Sequence, residues 1–193
     1  IKINELYKDG LQRDQFIPFI KILEKNSYQK ELSINEDYRL SQNVNLKRFL
    51  YPINKSNNFI FNKFFRKITK KKNKTQKILE IKGRKFEIKN FYERVVKFRF
   101  NELCDKNIGS EDYISIADNC DFIFIENLPD FNEDNSNQQQ RFITLIDIIY
   151  EKKIPLMITS NVNLDLINSS KSLNDQFKRT VSRLYELTSI DYN

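Results

Sequence analysis

Arginine carries most of the chemistry this sequence can offer. Arg13 ends a tight Gly10-Leu-Gln-Arg13 stretch just ahead of a predicted helix, a rigid platform from which a planar guanidinium can reach a neighbour's phosphate. The plainer alternative is that Arg13 pairs with Asp14 or with a helix-end carbonyl. Arg179 and Arg183 stand four apart on another predicted helix, so both can point at one anion; exposed arginines paired with Glu186 satisfy the same spacing. Glu126 closes a predicted buried strand, where a carboxylate can activate water or hold a metal, although a strand-end polar residue needs no such role. The run from Arg66 to Lys77 is the densest in cations. It breaks every hydrophobic period, its like charges repel, and no aromatics are interleaved for bases to stack on. It therefore reads as a solvated, mobile loop, the best candidate for a boundary, and not as a nucleic-acid grip.

Other chemistries are excluded by what is missing. A phosphate-binding loop needs two glycines five positions apart followed by Lys and Ser or Thr, because backbone N–H groups must wrap the phosphate. The chain has three glycines, Gly10, Gly83 and Gly109, and they cannot make one. The same scarcity excludes a dinucleotide fingerprint. There is no histidine, which removes the commonest general base and any Cys/His nucleophile or zinc site. Cys104 and Cys120 are expected as reduced thiols in the core. The net charge of +7, with a pI of about 9.2, admits a basic partner surface without requiring one. Abundant Asn and Lys with a single alanine point to a compositional bias, which weakens the lysine count as evidence.

The elements that must position these groups are organised around residues 121–160. Asp121-Phe-Ile-Phe-Ile-Glu126 is an apolar run of strand length, and Ile154 to Ser160 is another. Between them, Phe142, Leu145, Ile146 and Ile149 fall at helical spacing over 138–151. Two buried strands joined through a helix are parallel with a right-handed crossover, so the class is α/β. Ligand crevices in such sheets lie outside the carboxyl ends of the strands, which directs attention to Glu126 and to Thr159-Ser160-Asn161.

Elsewhere the pattern predicts a helix led by Phe16, with Pro18 in its first turn, and strands at 28–34 and at Phe49-Leu-Tyr-Pro52, the latter at a sheet edge. A helix capped by Ser56 carries Ile60, Phe64 and Ile68, with Phe61 and Phe65 beside them. A hairpin over 78–88 turns at Gly83-Arg84, and Val95 to Phe100 alternates as a further strand. Ser110 caps a helix with Glu111 and Asp112 in its first turn. The last helix presents Phe177, Val181, Leu184 and Thr188 along one side. A short echo links Leu11-Gln-Arg-Asp-Gln-Phe16 to Leu173-Asn-Asp-Gln-Phe177. No run reaches the roughly 20 apolar residues of a membrane span. Ile1 is not an initiator, so a preceding segment, including any targeting peptide, is expected.

Ordered stretches along the whole chain resemble the AAA-type ATPase family named for ATPase family gene one, which has mitochondrial and bacterial members. They are Glu5 to Ile20 with its Gly-Leu-Gln-Arg motif, Asp37-Tyr-Arg39, Tyr51-Pro52, Gly83-Arg84, Phe98 to Cys104, Asp112-Tyr113, Arg141 to Asp147 with Tyr150-Glu151, and Arg179 to Leu184. The resemblance implies the C-terminal half of a P-loop NTPase, whose phosphate loop, acidic metal strand and first sensor precede this chain. It divides the chain into 1–40, the end of the AAA-type core; 41–77, a variable helix and basic loop; and 78–193, a C-terminal α/β region with a small β-hairpin. It implies ATP and Mg²⁺ as cofactors of the full-length protein, with none bound by this chain's own motifs, and a homo-oligomer that handles client polypeptides in mitochondrial protein quality control. Peripheral membrane association is a further expectation and nucleic acid is not. Arg13 falls where AAA modules carry an arginine finger, and Arg179 or Arg183 where a second sensor is expected. The family usually has two arginines before the Phe-Ile-Thr-Leu-Ile-Asp motif; here the first is Gln140, leaving Arg141. The competing reading is a non-catalytic scaffold, or a basic nucleic-acid-binding module, that lacks a phosphate loop.

Overall fold

The computed structural model describes residues 6, 12–28, 48–105 and 108–192, in two compact units, Ile1–Glu36 and Asp37–Asn193. In the first unit, α1 (Arg13–Asn26) follows Gln12, whose φ of 61° turns the chain just before the helix. Pro18 lies in its second turn and not its first, because the helix starts at Arg13; the ring removes one backbone donor from the interior. Ile20 is buried and Phe19 is half exposed. The strand expected at 28–34 falls, apart from Tyr28, outside the described residues, as do the motifs at 7–11 and 37–39.

The second unit runs β1 (Phe49–Leu50), α2 (Lys55–Thr69), β2 (Lys74–Ile81), β3 (Arg84–Tyr92), β4 (Val95–Arg99), α3 (Phe100–Cys104), α4 (Ser110–Asp118), β5 (Phe122–Leu128), α5 (Ser136–Glu151), β6 (Leu156–Ser160) and α6 (Asn174–Leu187), with 3₁₀ turns at Leu164–Leu166 and Lys171–Leu173. The six strands form one sheet in the order β1-β6-β5-β4-β3-β2. β1, β6, β5 and β4 are mutually parallel, and β3 and β2 extend the sheet antiparallel. The α/β class follows, with β1 at the edge where its proline-containing continuation is tolerated.

Alternation along β5 divides the core. Phe122 and Phe124 face α2, where they meet Phe61 and Phe65. Ile123 and Ile125 face the opposite side, packed with Tyr113 and Ile116 of α4 and Phe142, Ile146 and Ile149 of α5. The ring of Phe124 lies 5.2 Å from Phe61 and 5.0 Å from Phe65, both edge-on, the favoured arrangement of aromatic quadrupoles. The buried stripe of α2 is thus Phe61, Phe65 and Thr69, with Ile60 turned outward.

Three local expectations are corrected. Residues 66–77 are not a mobile loop: α2 continues to Thr69 and β2 starts at Lys74, where its pairing with Tyr92 of β3 begins. The α2 cap is Asn54, not Ser56; its Oδ1 accepts the Asn57 N–H at 2.8 Å. Gly109, not Ser110, precedes α4, and the Asp112 carboxylate accepts its N–H at 2.8 Å.

The hairpin turns on Lys82 (φ 47°) and Gly83 (φ 77°), one residue earlier than expected. Two successive positive φ angles match the twist of the flanking strands. No atom crowds a Cβ added at Gly83, so only backbone strain is at stake. Gly83→Ala is expected to cost about 1 kcal/mol, lowering the thermal midpoint by roughly 2–4 °C in a calorimetric scan.

Candidate functional site

The arginines named from the sequence occupy three places. Arg13 is the first residue of α1, in the first unit. Arg141, in the second turn of α5, donates from Nη1 to Cys104 O at 2.9 Å, closing the carboxyl end of α3. Arg179 and Arg183 do lie together on one face of α6, and both reach Asp147 of α5, Arg179 at 3.3 Å. Glu186 accepts the Tyr150 hydroxyl at 2.7 Å. Spacing along one helix cannot reveal a carboxylate on the next, so Asp147 was missed, although it lies within the motif that starts at Arg141.

The two α6 arginines differ in freedom. Arg183 is 15% exposed and stacks 4.8 Å over the Tyr150 ring. Arg179 is 56% exposed, with one long bond to the same carboxylate. A bidentate acid between two guanidiniums holds both in place, and an incoming anion can draw the looser one away.

Glu126 pairs with Lys97 at 3.4 Å, and Lys97 in turn lies 5.1 Å over Phe65. Thr159 and Ser160 are buried and join strand ends: Thr159 Oγ1 accepts the N–H of Asn127, a residue with φ 63°, and Ser160 Oγ donates to Leu128 O. An open cleft of about 390 Å³ remains outside β4 and β5, where Arg99, Asn101, Asn127, Asn135 and Gln138 converge. Its lining, which includes the Asp105 carboxylate, can hydrogen-bond a polar ligand.

Both cysteines are buried free thiols. Burial pushes the Cys104 thiol far up, and pushes Cys120 to about 12 despite the opposing charge of Arg94. A thiol held protonated in the folded chain favours folding at neutral pH; this advantage is lost as pH rises from the ordinary thiol range through about 12. Denaturant midpoints should therefore fall above about pH 9, and a thiol-reactive disulfide reagent at neutral pH should label neither cysteine until the chain unfolds.

Over residues 1–193 the chain matches the family described as AFG1-like ATPase. It belongs to that family. It is 28% identical over 187 residues to lactation elevated protein 1 homolog B of Danio rerio, covering 95% of this chain and 37% of the relative. It is 26% identical over 189 residues to the cell division protein ZapE of Escherichia coli K12, covering 98% of this chain and 50% of the relative. An uncharacterized protein, C115.02c, of Schizosaccharomyces pombe is 30% identical over 161 residues, covering 82% and 36%. The chain thus spans from about a third to half the length of these relatives. No solved structure shows a significant match.

Membership of an ATPase family implies nucleotide and magnesium, and the residues of this AFG1-like chain can be tested against both. β1 feeds α2, which opens on Lys55-Ser56, the Lys-Ser pair of a phosphate loop; but Tyr51-Pro-Ile-Asn54 precedes it with no glycine, so no row of N–H groups can wrap a phosphate. Gly83 serves the hairpin and Gly109 precedes α4. Among the described residues no group of three or more Cys, Asp or Glu is placed to hold a metal ion.

Proposed function

We propose that this chain is the C-terminal part of an ATP hydrolase, contributing arginines to a nucleotide site whose phosphate loop lies elsewhere in the full-length protein. The observation that carries this reading is the family match along all 193 residues, in a chain whose glycines do not have phosphate-loop spacing. In the proposal Arg13, at the start of α1, is presented to the γ-phosphate bound by a neighbouring subunit of a homo-oligomer. Arg179, the more exposed of the pair on Asp147, is the second sensor, and Arg183 is its fixed companion. Arg141, spent on the end of α3, is assigned a structural role. The wider setting we infer is handling of client polypeptides in mitochondrial protein quality control, with peripheral contact to a membrane.

The experiment is to compare ATP hydrolysis by the full-length protein with that by residues 1–193 alone. Turnover is expected only from the former. Hydrolysis by the isolated chain contradicts the assignment, and so does an upstream coding sequence without a glycine-rich loop ending in Lys-Ser or Lys-Thr.

A further inference from the structure

Charge is segregated along this chain. Between Asp37 and Glu80 lie 12 of the 33 lysines and arginines and not one acidic residue, so the rest of the chain carries a net charge of −5 against +7 for the whole. At the overall proportion about six of these positions would be acidic. A bias toward lysine explains the number of cations and leaves the exclusion of Asp and Glu unexplained. As a loop, such a segment would be a solvated charge run. The structure instead orders Lys55–Thr69 as α2 and Lys74–Ile81 as β2, and Lys63, Arg66, Lys67 and Lys70 recur at helical spacing along one flank of α2 and its end.

Lys63, Arg66, Lys67, Lys70 and Lys74 are exposed, and none makes a salt bridge among the described residues. Arg66 is bonded only to the Asn62 carbonyl of its own helix, at 3.3 Å. Of the carboxylates near this surface, Glu93 accepts the Asn73 N–H at 3.0 Å and Glu87 accepts from Gln76, while Glu80 is exposed on β2 itself. Asp121, near the Tyr192 hydroxyl, is held by Arg94 at 2.7 Å.

The sequence shows no aromatics within the basic run, but the fold brings them to it. Beside the C-terminal half of α2 a cleft of about 370 Å³ has Phe64, Ile68 and Tyr192 as its floor and Lys67 and Lys72 at its rim. Tyr192 is pinned edge-on against Phe122, with ring centroids 4.9 Å apart, so its ring is a fixed platform. Phe59, 59% exposed, stands further along the same helix. Lysines on the phosphates and a ring under an unpaired base are the two ingredients of single-strand binding. Phe59, Ile60 and Ile78 are exposed while Phe64 and Ile68 are half-buried at the cleft, so a lipid surface is the competing occupant that the vesicle arm below separates. A duplex keeps its bases stacked inside and cannot use the ring.

We propose that the α2–β2 face and the cleft under Tyr192 bind single-stranded nucleic acid, with the lysines on consecutive phosphates and Tyr192 and Phe64 against a base. The test uses the full-length protein with saturating ADP and a fluorescein-labelled DNA strand of about 20 nucleotides, followed by anisotropy between roughly 50 and 300 mM salt. The logarithm of affinity is expected to fall against that of salt with a slope of about −3 to −4, as for five or so phosphate contacts. Lys67→Gln with Lys72→Gln should flatten the slope by about 1.4. Tyr192→Leu should weaken binding about tenfold or more with the slope unchanged, and Tyr192→Phe should bind normally. Thermal midpoints equal to the parent's establish that the variants are folded, and ATP hydrolysis in them should be unaffected, so failure here leaves the ATPase reading standing. The proposal is overturned by binding that ignores salt, by no binding at the lowest salt, or by affinity for the duplex equal to that for the strand together with no effect of Tyr192→Leu. Co-sedimentation with phosphatidylserine vesicles in the absence of strand binding also overturns it.

Discussion

Replacing Arg13 by alanine or lysine in the full-length protein is expected to lower ATP turnover about a hundredfold or more, on the order of 3 kcal/mol of barrier. Nucleotide affinity and thermal midpoint should hardly move. The expectation rests on the proposed role in trans: a guanidinium aimed at a neighbour's γ-phosphate meets charge that grows only during transfer, and such fingers contribute roughly 10³–10⁵ in rate in other phosphoryl-transfer systems. The geometry that supports it is the left-handed Gln12 immediately before α1, which sets Arg13 on the first turn of a 14-residue helix and not on a pliant loop. Lysine keeps the charge and lacks the planar fork, so it should not rescue. Were Arg13 only a surface partner of nearby groups, its removal would cost about 0–1 kcal/mol of stability and leave catalysis alone. Steady-state hydrolysis by assembled mutant particles separates the two, and near-normal turnover removes the finger.

The second large effect is structural and lies at Arg48. This guanidinium is 6% exposed, donates from Nε to Thr188 O at 3.1 Å and from Nη2 to Leu187 O at 3.3 Å and to Ile190 O, and stacks 5.3 Å over Phe122. It satisfies the carbonyls left over at the end of α6, which otherwise would be buried without donors. Arg48→Met keeps the volume and removes every donor, and should destabilise the fold by about 3–5 kcal/mol, since each orphaned buried acceptor costs roughly 1–3 kcal/mol. Arg48→Lys should recover only part, because an ammonium cannot span three carbonyls in a plane. Urea unfolding with an unchanged m-value would report it. A loss below about 1 kcal/mol would mean that water serves those carbonyls equally well.

What the sequence conveyed well was what periodicity encodes. β5, α5 and β6 stand where the apolar runs placed them, because a strand buried on both faces and a helix with one polar stripe leave local signatures. The basic run misled because its polar residues through Lys77 show no alternation: β2 begins at Lys74, four residues before the expected hairpin, and those first residues are strand because β3 pairs with them. The caps at Asn54 and Gly109 shifted by one or two residues because a hydrogen bond, and not residue type, decides which residue closes a helix. Partners remote in sequence left no trace. Asp147 under Arg179 and Arg183, Arg48 at the end of α6, and Tyr192 beside Lys67 and Lys72 all depend on the strand order, which no local pattern contains.

That strand order also sets a timetable for the growing polypeptide. Among the described strands β1 leaves the ribosome first, yet the strand it pairs with, β6, comes more than a hundred residues later. α2 emerges next, carrying Phe61 and Phe65 toward Phe122 and Phe124, which do not yet exist. At about 5–20 residues per second, this aromatic stripe waits several seconds for its cover. The β2–β3 hairpin closes on its own within that interval, but the edge strand waits for β6, and Arg48 for Leu187, Thr188 and Ile190 at and beyond the end of α6. Nascent chains should therefore be most in need of a chaperone between the synthesis of α2 and that of β5, and pulse-labelled ribosome-bound intermediates of that length should be the ones a chaperone retains.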